Sequence, residues 1–600
     1  MSAEKRIPLR EEVALGDTWD LTHLYKSDEE WESDLKRVEG LIDEVVKFRG
    51  TLKESPSNFL ALLKLIDQVG ILIESISQYS FLLHAGDGSN SQNQRRQGLA
   101  MQLYTNFSSQ TSFLNPEILS IDTEVINSWL EREEFKDYRV MVEKMLRYKP
   151  HVLTADEEKI LALQGEVGRK SQDAFNTLTN VDFDFGSIIT PEGKIPLTQS
   201  TFGYLLQSKD RKIRERAYRK FYGVFDKHKH TLAVLYEASV KQDIFGTKVR
   251  SYEDSRSKAL FPDKVDVAVY DNLVSEVHNA LPSLHRYYEL RRRLLGVNKL
   301  AHYDVYVPLV GDIEVKHTYE EAVDVIVNAM APLGEEYVST IGKGLTTDRW
   351  VDRYENRGKR SGAFSSGTFS GPPYILMNYK EDVLRDVFTL AHEGGHSMHS
   401  YYSSANNPFS SYDYTIFEAE VASTFNEQLL ADYMIKEAKE KELVAYILGK
   451  QIDDVVATLY RQTMFAEFEH LCHVKAEGGE PLTLDLLRST YRGLLEQYFG
   501  PEVTLLKVSD LEGLRIPHFY RAFYVYKYAT GISAAITLSE KVLNGGVKER
   551  DDYLNFLKSG GSRYPIEALK LAGVDMESPE PIKKALDTFS TLLDRFEALL

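Results

Sequence analysis

Residues 392–396 read His-Glu-Gly-Gly-His, two imidazoles four residues apart with a carboxylate beside the first. On a helix, positions i and i+4 stand one above the other, so His392 and His396 would turn both rings toward a single metal ion. Glu393, the next residue after the first ligand, would act as a base toward a water, which is the chemistry of the H-E-x-x-H pattern. The bland account of such a pair is two satisfied histidines, so the surroundings have to carry the argument. His399 lies at i+7 from His392 on the same face and reads as a packed or hydrogen-bonded histidine rather than a ligand.

The element that must position these groups has helical periodicity. Val383, Leu384, Val387, Phe388 and Ala391 form a broad apolar stripe over Glu381–Tyr402. Asn378 reads as its N-cap, with Glu381 three residues on as in a capping box. Just upstream, Tyr374–Met377 is a short apolar run with strand character. Gly394 and Gly395 stand out, because each glycine inside a helix costs about 1 kcal/mol relative to alanine. The pair demands a compensating reason, such as close approach of another backbone or of a substrate.

A catalytic zinc takes three protein ligands and keeps one position open. The next helix, Tyr414–Ala438, offers Glu418, Glu420 and Glu427. Glu418 shares a face with Tyr414, Val421, Ala422, Phe425 and Leu429, where an unpaired carboxylate would be costly. It either ligates the metal or finds a local partner at the edge of the core. Glu420 lies about 200° around the helix, beside Phe417, Ser423, Thr424 and Glu427. Periodicity leaves both open as the third ligand.

The chain has 600 residues, 43% hydrophobic and 27% charged, the composition of a folded protein with more than one packed region. Its net charge of −18 argues against nucleic acid or an anionic membrane as the main partner. The basic stretch Lys209–Lys220 reads as a solvated helix face. Cys472 is the single cysteine, which excludes an intrachain disulfide and a Cys-based zinc site. No secretory signal and no apolar run long enough to span a bilayer are visible, so a reduced, cytoplasmic protein is expected.

Segments near 28–50, 57–84, 91–113, 123–147 and 155–180 read as amphipathic helices, and helical patterning resumes over Lys209–Lys248. A hairpin is expected within Val181–Ser200, turning at Thr190-Pro191-Glu192-Gly193. Ser361–Tyr379 is a second non-helical stretch, rich in Gly, Ser and Pro. No fixed-period repeat or long linker appears, which predicts one continuous, mostly α assembly.

The combination of segments resembles the thimet oligopeptidase and oligoendopeptidase F metallopeptidases, specifically the oligoendopeptidase F branch. The resemblance is carried by Ala391-His-Glu-Gly-Gly-His-Ser-Met-His-Ser400 and Ile416-Phe-Glu-Ala-Glu-Val-Ala-Ser-Thr-Phe-Asn-Glu427. It continues in Pro372-Pro-Tyr-Ile-Leu-Met-Asn-Tyr379 and His518-Phe-Tyr-Arg-Ala-Phe-Tyr-Val-Tyr-Lys-Tyr-Ala-Thr-Gly531. Trp19, Trp31 and Gly560-Gly-Ser-Arg-Tyr-Pro-Ile566 extend it along nearly the whole chain. It implies that His392 and His396 are zinc ligands and that Glu393 is the general base. The family's third ligand sits in Glu-x-x-Ser with a second Glu seven residues after the first; Glu420, Ser423 and Glu427 match, and Glu418 does not. It also implies a histidine and tyrosines late in the chain that act at the zinc, matched by His518 and Tyr528, with Tyr524 and Tyr526 as substitutes. Tyr520, Tyr524 and Tyr528 would share one stripe if that segment is helical.

The resemblance implies a helical shell of two packed halves around a deep substrate channel, with a small β element next to the active-site helix. Residues 1–200 would form an N-terminal helical region and 201–600 the catalytic metallopeptidase region. One Zn2+ per chain and short unfolded peptides as substrates follow, with hydrolysis of internal bonds by a zinc-activated water. Tyr528 and His518 would stabilise the oxyanion. The extended segment Gly371–Tyr379 could pair with a peptide as an added strand. The alternatives are an exopeptidase of the dipeptidyl carboxypeptidase kind, which would need a cationic pocket for a terminal carboxylate, and a non-catalytic helical peptide-binding protein with a metal site.

Overall fold

The computed structural model describes residues 6–311 and 315–600. The chain is predominantly helical, with a few short strands, as the periodicity predicts. It forms two compact units, each drawn from three stretches. The first comprises Met1–Lys149, Glu314–Glu437 and Ala535–Val574; the second comprises Pro150–Ile313, Ala438–Ala534 and Asp575–Leu600.

In the first unit, helices Asp28–Val46, Pro56–Gly86 and Ser91–Gln110 start behind Ser27, Ser55 and Asn90, whose side chains accept from the exposed first-turn amides. Their apolar faces meet in a core that includes Trp31, Phe59, Ile76, Trp129 and Phe135. The region expected as one helix over 123–147 is broken into Thr123–Leu130, a short turn and Arg139–Leu146. A separate cluster places Trp19 against Phe364 and Tyr374, ring centroids 6.4 and 6.3 Å away.

Those two aromatics belong to a three-stranded sheet. Tyr374–Leu376 is its central strand, parallel to Val351–Asp352 and antiparallel to Phe364–Ser366, with Phe364 opposite Leu376 and Ser366 opposite Tyr374. The central strand is buried throughout and paired on both sides. It therefore has no edge to offer a peptide, which corrects the expectation for Gly371–Tyr379. Val351–Asp352 is one edge strand and Phe364–Ser366 the other. Helix Pro56–Gly86 fastens it: Gln78 Nε2 donates to the Ser366 carbonyl at 3.2 Å, and the Ser366 hydroxyl donates to Gln78 Oε1 at 3.0 Å.

In the second unit, the long helix Arg211–Val249 lines a core with Tyr218, Phe221 and Phe225, and Phe202 stacks on Phe221 at 3.9 Å. The expected hairpin is present as Ser187–Thr190 paired with Gly193–Pro196. The basic stretch is only partly a solvated face. Arg211 and Arg214 turn inward and both bind the buried Asp304, at 2.8 and 2.7 Å. Among the described residues no helix is long and apolar enough to cross a membrane.

Gly560 and Gly561 have a local duty. A Cβ at Gly561 would stand 2.0 Å from the Asp413 carbonyl, and one at Gly560 would stand 2.1 Å from Ser403 Oγ. The pair lets this turn close onto the connection between helices Leu384–Asn406 and Ile416–Glu437. Gly561→Ala should destabilise the chain by about 2–3 kcal/mol through overpacking, read as a lower urea midpoint at unchanged slope.

Candidate metal centre and active site

The H-E-x-x-H residues lie on helix Leu384–Asn406, which starts three residues later than the sequence suggests. Asn378 is not its cap. The Asn378 amide instead donates to the Arg360 and Gly362 carbonyls, at 3.1 and 2.9 Å, and holds the loop before the sheet. The partner helix Ile416–Glu437 packs against the motif helix at closest range opposite Gly395. A Cβ there would stand 2.6 Å from the Ala422 carbonyl oxygen and 2.7 Å from Ser423 Cα. Close backbone approach thus accounts for one glycine of the pair. At Gly394 the nearest atom to a Cβ is the end of the flexible Ile341 side chain, at 3.1 Å.

That contact brings three ligand-type side chains together. His392, His396 and Glu420 each offer one donor atom, all within 4.8 Å of one another. His392 Nε2 stands 3.7 Å from Glu420 Oε2, and the two imidazole rings are 4.9 Å apart and nearly perpendicular. Ligands about 2.0–2.1 Å from a tetrahedral zinc are separated by about 3.3–3.4 Å, so the trio fits such an ion with only small side-chain adjustment. Two imidazoles and one carboxylate also make a donor set suited to catalytic zinc.

The remaining atoms of the ligands are held. Glu427 Oε1 lies 2.7 Å from His392 Nδ1, which fixes the ring with Nε2 toward the centre. The Ala419 carbonyl accepts a hydrogen bond from the His396 ring, and Ser423 Oγ donates to the Glu420 carbonyl at 3.2 Å. Asn426 Nδ2 donates to the Ala391 carbonyl at 3.3 Å, while the Tyr337 hydroxyl donates to Asn426 Oδ1 at 3.0 Å. Sequence reasoning left the role of Glu427 unread, although its place seven residues after Glu420 puts both on one face.

Glu418 is elsewhere. It is buried, and its Oε2 accepts from the Thr415 amide at 3.1 Å and the Thr415 hydroxyl at 3.3 Å, so it caps its own helix. Of the two open alternatives, only Glu420 lies with the histidines. His399 stacks on Tyr414 at 3.6 Å and is packed, not a ligand-type neighbour of the trio.

Glu393 is 8% exposed. Burial pushes its carboxyl up to about 7; His392 works against the rise, Glu420 and Glu427 add to it, and the Ser365 amide, bonded to the carboxylate, offsets part. The edge strand therefore touches the proposed base, and Ser365 Oγ lies 2.8 Å from Ser397 Oγ on the motif helix. Burial pulls His392 down, but its bond to Glu427 and the charges of Glu427, Glu393 and Glu420 outweigh this and bring it up to about 9. His396 goes the other way, down to about 3, through burial and then the neighbouring His392.

The late segment lies in the second unit and is not one helical stripe. Pro517–Tyr520 is a short 3-10 turn, and the helix begins at Tyr526. His518, Tyr524 and Tyr528 nevertheless cluster: His518 is 6.1 Å from Tyr524 and 6.2 Å from Tyr528 by ring centroid, and the two tyrosine hydroxyls are 3.5 Å apart. Tyr520 departs to stack on Phe175 at 4.5 Å, and Tyr526 is buried against Tyr270 at 5.4 Å. Both are packing residues.

Known proteins share both sequence and fold with this chain. The family described as Peptidase family M3 matches residues 204–588, and the one described as Oligopeptidase F matches 117–185. The chain is 41% identical to an oligoendopeptidase F homolog of Borreliella burgdorferi, over 98% of this chain and 99% of that protein. It is 43% identical to oligopeptidase PepF of Bacillus subtilis, over 100% of this chain and 90% of that protein. The solved structure of oligoendopeptidase-F from Enterococcus faecium is 34% identical, superposes with a TM-score of 0.74, and covers 95% of this chain and 99% of its own.

A metal ligand must shed its proton, and His392 holds one below about 9. Zinc loading at pH 7.5 should therefore release at least about one proton, measured by calorimetry in buffers of different ionisation heat, and the apparent affinity should fall as the pH is lowered. In a separate variant, Gly395→Ala should force the two helices apart and weaken zinc binding by about tenfold or more, while Gly394→Ala leaves it nearly unchanged.

Proposed function

The chain belongs to peptidase family M3, on its oligopeptidase F branch, and is a metallopeptidase; from that premise we propose that it is a zinc endopeptidase of short, unfolded peptides. One Zn2+ would be held by His392, His396 and Glu420. The observation that carries this reading is the convergence of those three donors beside a buried carboxylate, Glu393, on the adjoining turn. When bound, the ion supplies Lewis acidity to the attacking water and the scissile carbonyl.

The chain's own residues do the rest. Glu393 takes the proton of the attacking water on its carboxylate and delivers it to the leaving amine, for which a pKa near 7 is well placed. Glu427 holds His392 in one tautomer, and Ser365 steadies Glu393 through its amide. A peptide would lie along the edge strand Phe364–Ser366, pairing through the backbone groups that Glu393 and Gln78 leave open, and so without regard to sequence. The roles of His518 and Tyr528 in stabilising the oxyanion rest on the family resemblance, with Tyr524 as the neighbour best placed to share them. All these catalytic residues fall within 201–600, with 1–200 as the supporting helical region. A cytoplasmic setting suits a chain whose one cysteine is buried, and an acidic chain is a poor partner for nucleic acid.

The deciding experiment is cleavage of an end-blocked, internally quenched peptide, with metal content measured on the same samples. The wild type should cut an internal bond with about one zinc bound, and Glu393→Gln should keep the zinc and lose about 10²–10⁴-fold in kcat. Tyr528→Phe should lose less. Wild-type rates in Glu393→Gln would sink this mechanism, and cleavage restricted to peptides with free ends would make it an exopeptidase.

A further inference from the structure

The second unit contains a cationic cluster that the proposed reaction does not use. Glu512 is buried in the turn Ser509–Leu514, and both its oxygens are taken: Oε1 accepts from Arg461 Nη2 at 2.7 Å and Oε2 from the Tyr491 hydroxyl at 2.8 Å. Arg515 stands further off, its Nη2 3.7 Å from the same Oε1. Among the described residues the Arg515 fork donates no hydrogen bond within normal range, and its Nε is buried without a partner. Two guanidiniums share one carboxylate, which leaves one positive charge in excess. Buried donors are satisfied in nearly all folded proteins, so the Arg515 Nε calls for a partner, and the side chain, 23% exposed, is open to one from outside.

The surroundings sharpen the charge. Phe221 underlies Arg515 at 5.9 Å, and Phe465 and Phe499 flank Arg461 at 4.9 and 5.2 Å. These apolar walls reduce the screening of the excess charge by water. Tyr306 is 38% exposed, and burial and then the Glu512 carboxylate push its phenol up. Burial pulls His302, on the same network, down to about 4, so it stays neutral and adds no charge.

We propose that Arg515, with Arg461 and Tyr306, forms a carboxylate-binding recess whose ligand is the C-terminal carboxylate of a peptide or a free small carboxylate. The planar arginine fork matches a carboxylate's two oxygens, and the Tyr306 hydroxyl is a further donor. Arg515 lies three residues before His518, so an occupant here adjoins the stretch that carries His518, Tyr524 and Tyr528. The peptide form of the proposal rests on the peptidase reading above. It adds a substrate class: oligopeptides with a free C-terminus.

The test reads binding without turnover, in the zinc-loaded full chain carrying Glu393→Gln. Two fluorescent peptides, identical except for a C-terminal carboxylate or carboxamide, are titrated by anisotropy. The acid should bind about tenfold more tightly than the amide, and adding Arg515→Gln should abolish that difference while leaving the amide unchanged. Arg515→Lys, which keeps the charge and loses the fork, should retain part of the preference, and Tyr306→Phe should reduce it about threefold. N-acetylglycine is titrated in parallel by calorimetry. Acid and amide binding alike, together with N-acetylglycine binding that is lost in Arg515→Gln, would assign the recess to free carboxylates. Equal binding of both peptides, with no Arg515-dependent binding of N-acetylglycine, would overturn the proposal. Failure of the wild type to cleave any peptide would count against the peptidase reading alone, because both binding arms remain readable.

Discussion

Backbone-to-backbone contact at Gly395 is the constraint on which the candidate centre depends. Two helices that cross with side chains between them sit about 8–10 Å apart. Here one backbone meets Ala422 and Ser423 of the other at a distance that excludes even a methyl group. Only that approach lets a carboxylate on the second helix stand 3.7 Å from an imidazole on the first. The weak helix propensity of two adjacent glycines is offset by the packing it permits. The same crossing sets Glu427 against His392 and Asn426 against the Ala391 carbonyl, so one close contact organises ligand, tautomer and helix register together.

A second layer holds this pair of helices. The Gly560-Gly561 turn seats on the connection between them, and the sheet leans on the motif helix through Ser365 and Ser397. The edge strand is in turn clamped by Gln78 of a helix that begins at Pro56, and the loop beyond it by Glu74, which accepts from the Phe369 amide at 2.8 Å. N-terminal residues with no part in the chemistry thus fix the strand that lies beside Glu393. Burial pushes Glu74 up to about 7, against the pull of that amide, so this clamp is itself a polar group at the limit of what the interior tolerates.

How much was legible in the sequence varied with the kind of signal. His392, Glu393 and His396 were readable because helical spacing and ligand chemistry coincide in five residues. The mostly α architecture and the hairpin at Thr190–Gly193 followed from periodicity and turn residues. Glu418 and Glu420 could not be separated, because periodicity reports which face a residue occupies and not what lies opposite that face. Thr415, three residues before Glu418, was the missing partner. Asn378 had the right type for a cap, but tertiary bonds to Arg360 and Gly362 outbid the local one. The buried strand Tyr374–Leu376 looked like a binding edge for a similar reason: an apolar run does not say whether its flanks are paired. Tyr520, Tyr524 and Tyr528 look equivalent at spacing four until the 3-10 turn breaks the stripe and turns Tyr520 onto Phe175.

The bond between Glu427 and His392 has a consequence for how the centre comes to exist. Three carboxylates and two imidazoles crowded together would repel or bury uncompensated charge if they waited for a dication to neutralise them. Because Glu427 gives a protonated His392 its counter-charge, the folded chain can keep this crowd in place with a proton standing in for the metal. On this balance the fold does not need the ion to neutralise these charges, unlike the zinc-finger peptides whose order appears only with the ion. A chelator should then silence such a protein without unmaking it.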